Sequence, residues 1–232
     1  MFLYPKTPPA YESRYTPPPP EVPAAIVSVI GDSYTSGSGM GGQGDHGWPA
    51  LVERQLNPDH PVSILKGAEG ASGYGKPGHN GTDFAAEVPK VVKSNSRLVV
   101  VFGSRNNTEH LQDLPAAVDG TLAAIKVKAP TASLLVIGPA WPVGEPPPEV
   151  LEARDIIRTE AVKAHAVWVD PITDGWLVGH PELIGEDGIH PNDAGHVWLA
   201  EKIGALIVDQ LSPPVPCTTA APFGHTQVNC PT

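Results

Sequence analysis

Five consecutive large apolar residues in Arg97-Leu-Val-Val-Val-Phe-Gly103 constrain this chain more than any other stretch. A strand with one face in water alternates apolar and polar side chains, whereas a short unbroken run of strand-favouring residues fits a strand covered on both faces. Such strands belong to parallel sheets enclosed by helices. Four more short runs read as strands: 25–30, Pro61 to Leu65, Ala132 to Gly138 and Ala166 to Asp170. Between them the spacing predicts helices over 48–56, about Asp83 to Lys93, Leu114 to Lys126 and about Glu149 to His165. A last helix opens near Asn192, with Asn192 or Asp193 as its cap. Strand alternating with helix five times predicts one three-layer α/β/α domain with a five-stranded parallel sheet, occupying residues 24–212. The pattern leaves the strand order open.

The flanks differ in kind. Residues 1–23 carry Pro5, Pro8, Pro9, Pro17 to Pro20 and Pro23, a density that excludes helix and predicts an extended arm or linker. The start lacks the charged and apolar regions of a signal peptide, so any export signal is expected to be gone already. The tail, 213–232, holds both cysteines, Cys217 and Cys230, in a Pro-, Thr- and Gly-rich segment without periodicity. Two thiols there are expected to pair, closing a loop worth about 3 kcal/mol through the unfolded chain, and a disulfide implies a secreted or cell-envelope address. Two unpaired thiols are the alternative. No C-x-x-C or Cys/His cluster suggests zinc, and no metal or organic cofactor is implied. A net charge of −10 argues against nucleic acid and anionic lipid as partners, and no stretch is apolar enough for a membrane-spanning helix.

Chemistry concentrates where strands end. The first run stops at Gly31-Asp32-Ser33, which delivers Ser33 to the carboxyl edge of the sheet, where ligands of open α/β sheets bind. A serine hydroxyl needs an imidazole to take its proton, and His190 can serve if its tautomer is fixed. Asp187, three residues earlier across Gly188, can bond the far ring nitrogen. The amides of Ser33 and Gly73 and the carboxamide of Asn106 can donate to an oxyanion. Taken singly, each has a bland reading as a turn or cap residue; Asp32 reads as structural.

Together these residues resemble the blocks of the SGNH (GDSL-type) hydrolases: Gly-Asp-Ser-Tyr-Thr-Ser-Gly at 31–37, Gly73 in Gly-Ala-Ser-Gly, Gly-Ser-Arg-Asn at 103–106 and Asp-Gly-Ile-His at 187–190. The resemblance spans residues 25 to about 211. It implies a flavodoxin-like fold, Ser33 as nucleophile, His190 as base, Asp187 as its orienter, and Ser33, Gly73 and Asn106 as oxyanion hole. The family's third block usually reads Gly-x-Asn-Asp; here Asn107 stands for the acid, which is expected to alter loop anchoring rather than chemistry.

The expected activity is hydrolysis of carboxylic esters, of lipid or carbohydrate, through an acyl-enzyme. Acyl transfer to a sugar hydroxyl would use the same residues, and a secreted binding module with an idle site is the non-enzymatic alternative. The run Gly37-Ser-Gly-Met-Gly-Gly42 fits G-x-G-x-x-G and makes dinucleotide binding a formal rival, but it begins beyond the strand end and runs into no helix. The remaining histidines, His196 among them, lack metal-ligand spacing and read as surface or loop residues.

Overall fold

The computed structural model describes residues 23–57, 59–103 and 105–212. The proline-rich arm up to residue 22 and the tail with Cys217 and Cys230 lie outside the described residues, as does the disulfide expected there. Five strands, β1 (Ala25–Gly31), β2 (Val62–Ala68), β3 (Leu98–Phe102), β4 (Ser133–Ile137) and β5 (Val167–Val169), form one sheet in the order β2-β1-β3-β4-β5. Every neighbouring pair is parallel. The helices are α1 (Ser33–Ser36), α2 (Trp48–Leu56), α3 (Phe84–Val91), α4 (Leu114–Lys128), α5 (Pro148–Lys163) and α6 (Asp193–Leu211). This is the three-layer, flavodoxin-like arrangement expected.

The unbroken apolar run of β3 serves both faces. Leu98, Val100 and Phe102 join Trp48 and Val52 of α2 and Leu199 and Ile203 of α6 on one side. Val99 and Val101 join Phe84 and Val88 of α3, Leu122 of α4 and Ile157 of α5 on the other. All five β3 side chains are buried, and each such burial contributes roughly 1.5–3 kcal/mol. Ser28, the one polar residue inside β1, faces the α3 side. Its hydroxyl donates to the Val91 carbonyl at 3.0 Å and lies 2.8 Å from the Ser96 hydroxyl, so no polar group is stranded.

Two boundaries differ from the sequence reading. β2 continues to Ala68, because its partner β1 keeps offering backbone groups until Gly31, opposite Ala68. Gly67 suits that extension, since a Cβ there would sit 2.7 Å from Glu87 Oε2 on α3. A single turn, α1, also follows β1 directly. It is nucleated by Asp32, whose carboxylate accepts from the Tyr34 amide at 2.9 Å.

His196 corrects a reading outright. It is not a surface residue but faces inward from α6, 1% exposed, with its Nδ1 accepting from the Trp48 amide at 3.3 Å. Burial pulls its pKa down to about 4, with Lys66 and His190 acting the same way and Asp193 opposing.

Strand order reverses between β1 and β3: the chain leaves β1 toward one edge and returns past it toward the other. At such a switch point the connections after the two strands part and leave a crevice. The register brings Gly31 level with both Ala68 and Phe102, so the segments after β1, β2 and β3 emerge side by side.

Candidate active site

Ser33 is the first residue of α1, so its amide has no intrahelical carbonyl to reach. Its Oγ lies 3.1 Å from His190 Nε2. On the far side of the ring, His190 Nδ1 lies 2.6 Å from Asp187 Oδ2. The other Asp187 oxygen accepts from the Ile189 and His190 amides, both at 2.9 Å. Partial burial pushes the Asp187 carboxyl upward, but the His190 ring, the two amides and the imidazole charge outweigh it and hold the pKa at about 2. A permanently ionised Asp187 keeps the Nδ1–H tautomer and leaves Nε2 free to accept from Ser33. Gly188, with φ +67, supplies the left-handed residue that lets so short a loop turn its acid back onto its own histidine.

Tyr34 fixes where that loop sits. Its hydroxyl donates to the Ile189 carbonyl at 2.6 Å, and its ring is 3% exposed against Phe102. Burial drives the Tyr34 pKa well above the ordinary phenol value, against the pull of the nearby Arg105 guanidinium, so the donor proton stays in place.

The oxyanion side departs from expectation at one position. The Gly73 amide donates to the Lys76 carbonyl at 2.9 Å, within a small bridge, and Gly73 does not line the cavity beside Ser33. Gly70 and Ala71 line it instead. Gly70 follows the end of β2 by two residues as Ser33 follows the end of β1, and the paired ends make the two positions level. The Gly70 amide meets no backbone carbonyl among the described residues. Ala71 carries φ +64, a left-handed conformation costing about 1–2 kcal/mol without glycine, which turns the chain away immediately after Gly70.

Asn106 lines the same cavity, its carboxamide nitrogen donating to the Ser72 carbonyl at 2.8 Å and to Asp32 Oδ2 at 3.3 Å, so an oxyanion would take the place of the longer contact. The substituted position, Asn107, does anchor a loop. Its side chain accepts from the Tyr74 amide at 3.0 Å and donates to the Tyr74 carbonyl at 2.7 Å, a two-point clamp that needs an amide rather than an acid. Close by, burial raises the Glu69 carboxyl, but the amides of Asn80, Thr82 and Gly81 more than offset this and hold it below its usual range.

The glycine run that mimics a dinucleotide fingerprint has a packing explanation. A Cβ on Gly41 would fall 2.4 Å from the Asp193 amide, and one on Gly42 would strike the His196 ring. The Gly42 amide also donates to Asp193 Oδ1 at 2.8 Å. These glycines let the loop lie flat on the start of α6.

The family model for GDSL-like lipases/acylhydrolases matches residues 29–198. The chain belongs to that family. A GDSL lipase of Mycobacterium tuberculosis is 45% identical over 190 residues, covering 80% of this chain and 82% of the relative. Among solved structures, the psychrotrophic esterase EstA of Pseudoalteromonas superposes with TM-score 0.64 at 11% identity, covering 80% of this chain and 98% of that one. The carbohydrate acetylesterase Est24 of Sinorhizobium meliloti gives 0.62 at 14%, covering 80% and 99%. At such identities the superpositions establish the fold. Membership makes this GDSL-family protein a serine ester hydrolase. Hydrolysis is the chemistry this membership supports, in preference to transfer onto a sugar hydroxyl.

Proposed function

We propose that Ser33, His190 and Asp187 carry the hydrolysis, with the Ser33 and Gly70 amides and the Asn106 carboxamide holding the oxyanion, and that the substrates are esters of short acyl groups. The observation carrying this reading is the chain of hydrogen-bond distances from Asp187 through His190 to Ser33. Ser33 Oγ bonds to the acyl carbon while its proton passes to His190 Nε2. The tetrahedral intermediate collapses, the bond to the alcohol oxygen breaks, and His190 returns the proton to the leaving alkoxide. Water then attacks the acyl-enzyme by the same relay and releases the acid with Ser33 restored.

The short-acyl preference follows from the cavity, about 450 Å³, in which only Ala71 and Ile189 offer apolar side chains. Glycines, serines, histidines, Arg105 and Asn106 make up the rest of the described lining, leaving few large apolar side chains to hold a long chain. A 4-nitrophenyl ester series from acetate to decanoate tests both parts. The expected result is a kcat/KM falling beyond butyrate, activity lost in Ser33→Ala, and kcat lowered about 10²–10³-fold in Asn106→Ala. Equal rates in wild type and Ser33→Ala overturn the assignment of Ser33; a preference for decanoate overturns the short-acyl reading.

A further inference from the structure

We propose that Arg105 makes this cavity a subsite for anionic esters, in which its guanidinium binds a carboxylate on the substrate; this deepens the reading of the Ser33 site and rests on it. Arg105 lines the same cavity as Ser33, Asn106 and His190. Its guanidinium carbon lies 4.4 Å above the Trp141 ring. That ring is itself pinned by its Nε1, which donates to the Val143 carbonyl at 2.7 Å. The guanidinium also lies beside the Tyr34 hydroxyl. Stacking and a neutral hydroxyl fix the direction of a cation without neutralising it.

The acids nearby are turned to other partners. Asp187 is 2.6 Å from His190 and takes two amides, while Asp32 is 1% exposed and caps α1. Among the described residues Arg105 makes no ion pair with a carboxylate, and no Asp or Glu is among the described residues that line the cavity. A chain with net charge −10 thus presents a cavity beside its nucleophile whose permanently charged lining group is a cation. The surface as a whole repels anions, so a substrate anion would gain here only from a local contact. The planar fork of arginine matches the two oxygens of a carboxylate.

The carboxylate can ride on either half of the ester, so two matched pairs are needed. One is 4-nitrophenyl hydrogen glutarate against 4-nitrophenyl valerate, and the other is 4-acetoxybenzoate against its methyl ester, with uncatalysed rates subtracted. Wild type, Arg105→Lys and Arg105→Gln are compared. In one pair the ratio of kcat/KM for the anionic over the neutral ester should fall about tenfold in Arg105→Gln, the size of one charge-assisted contact, and stay closer to wild type in Arg105→Lys. Added salt should lower the ratio in wild type and leave it flat in Arg105→Gln. Using ratios removes any general loss from disturbing Tyr34. A ratio unchanged by Arg105→Gln in both pairs overturns the anion subsite. If Ser33→Ala still abolishes every rate, that failure leaves the nucleophile assignment standing, whereas rates that survive Ser33→Ala overturn the underlying reading itself.

Discussion

Replacing His196 with asparagine should flatten the pH dependence of stability between pH 7 and 5. In the folded protein the imidazole is sealed between α6, the Trp48 amide and Gly42, and its Nε2 has no hydrogen-bond partner among the described residues. Protonation would put a second N–H against the Trp48 donor and a charge in the core. The pKa therefore lies at about 4, against an ordinary value of 6.5. The unfolded chain takes up the proton near pH 6.5 and the folded chain only near 4, so stability falls as pH drops through that window and levels off beneath it. The whole span is worth about 3 kcal/mol, and the part lost between pH 7 and 5 about 2 kcal/mol. For a domain of this size that lowers Tm by roughly 4–8 °C. Asparagine keeps an acceptor for the Trp48 amide and removes the titration. Although the variant starts less stable, its Tm should fall much less from pH 7 to 5, as followed by thermal melts in near-ultraviolet circular dichroism. The carboxylates with lowered pKa, Asp187, Glu69 and Glu182, act in a more acidic window and do not interfere. A His196→Asn curve as steep as that of wild type would refute the argument.

Asp187→Asn should lower kcat by about 10³-fold or more, because the amide no longer enforces the Nδ1–H tautomer or stabilises the imidazolium. With its pKa at about 2, Asp187 stays ionised down to about pH 3, so the acid limb of the wild-type pH–rate profile should not titrate with this carboxyl; a limb that vanishes in an otherwise active Asp187→Asn would contradict this. Asn107→Ala strands the amide and carbonyl of buried Tyr74 and should destabilise the fold by about 1–3 kcal/mol in urea titrations, with Asn107→Asp restoring only the accepting half.

The layers were legible because β3 and β4 are apolar runs that alternate with helical stretches, the pattern of a parallel sheet covered by helices. Ser33, Asp187 and His190 were legible because each stands at a position its neighbours mark: a glycine at the strand end, or a three-residue spacing. Gly70 was not. The end of β2 and the loop after it contain Gly67, Gly70, Gly73 and Gly75, and only pairing between β1 and β2 reveals which lies level with Ser33. His196 was misplaced for a related reason. One histidine in an amphipathic helix carries no sign of which way it faces, and the glycine that makes room for it is 154 residues away in sequence. Arg105 could be seen beside Asn106, but its stacking partner, Trp141, comes from a different strand end.

Tyr34 gives the site a mechanical character of its own. Ser33 and Tyr34 are bonded neighbours, as are Ile189 and His190, and hydrogen bonds join the two pairs at 2.6 Å and 3.1 Å. The four residues thus close a small ring, two sides covalent and two polar, across a separation of 157 residues. In such a linkage the gap between base and nucleophile is set by a handful of local torsions. Rotation of the imidazole about its own side chain breaks only its bonds to Ser33 and Asp187, whereas a displacement of the loop backbone that carries His190 away must also open the Tyr34 bond to the Ile189 carbonyl.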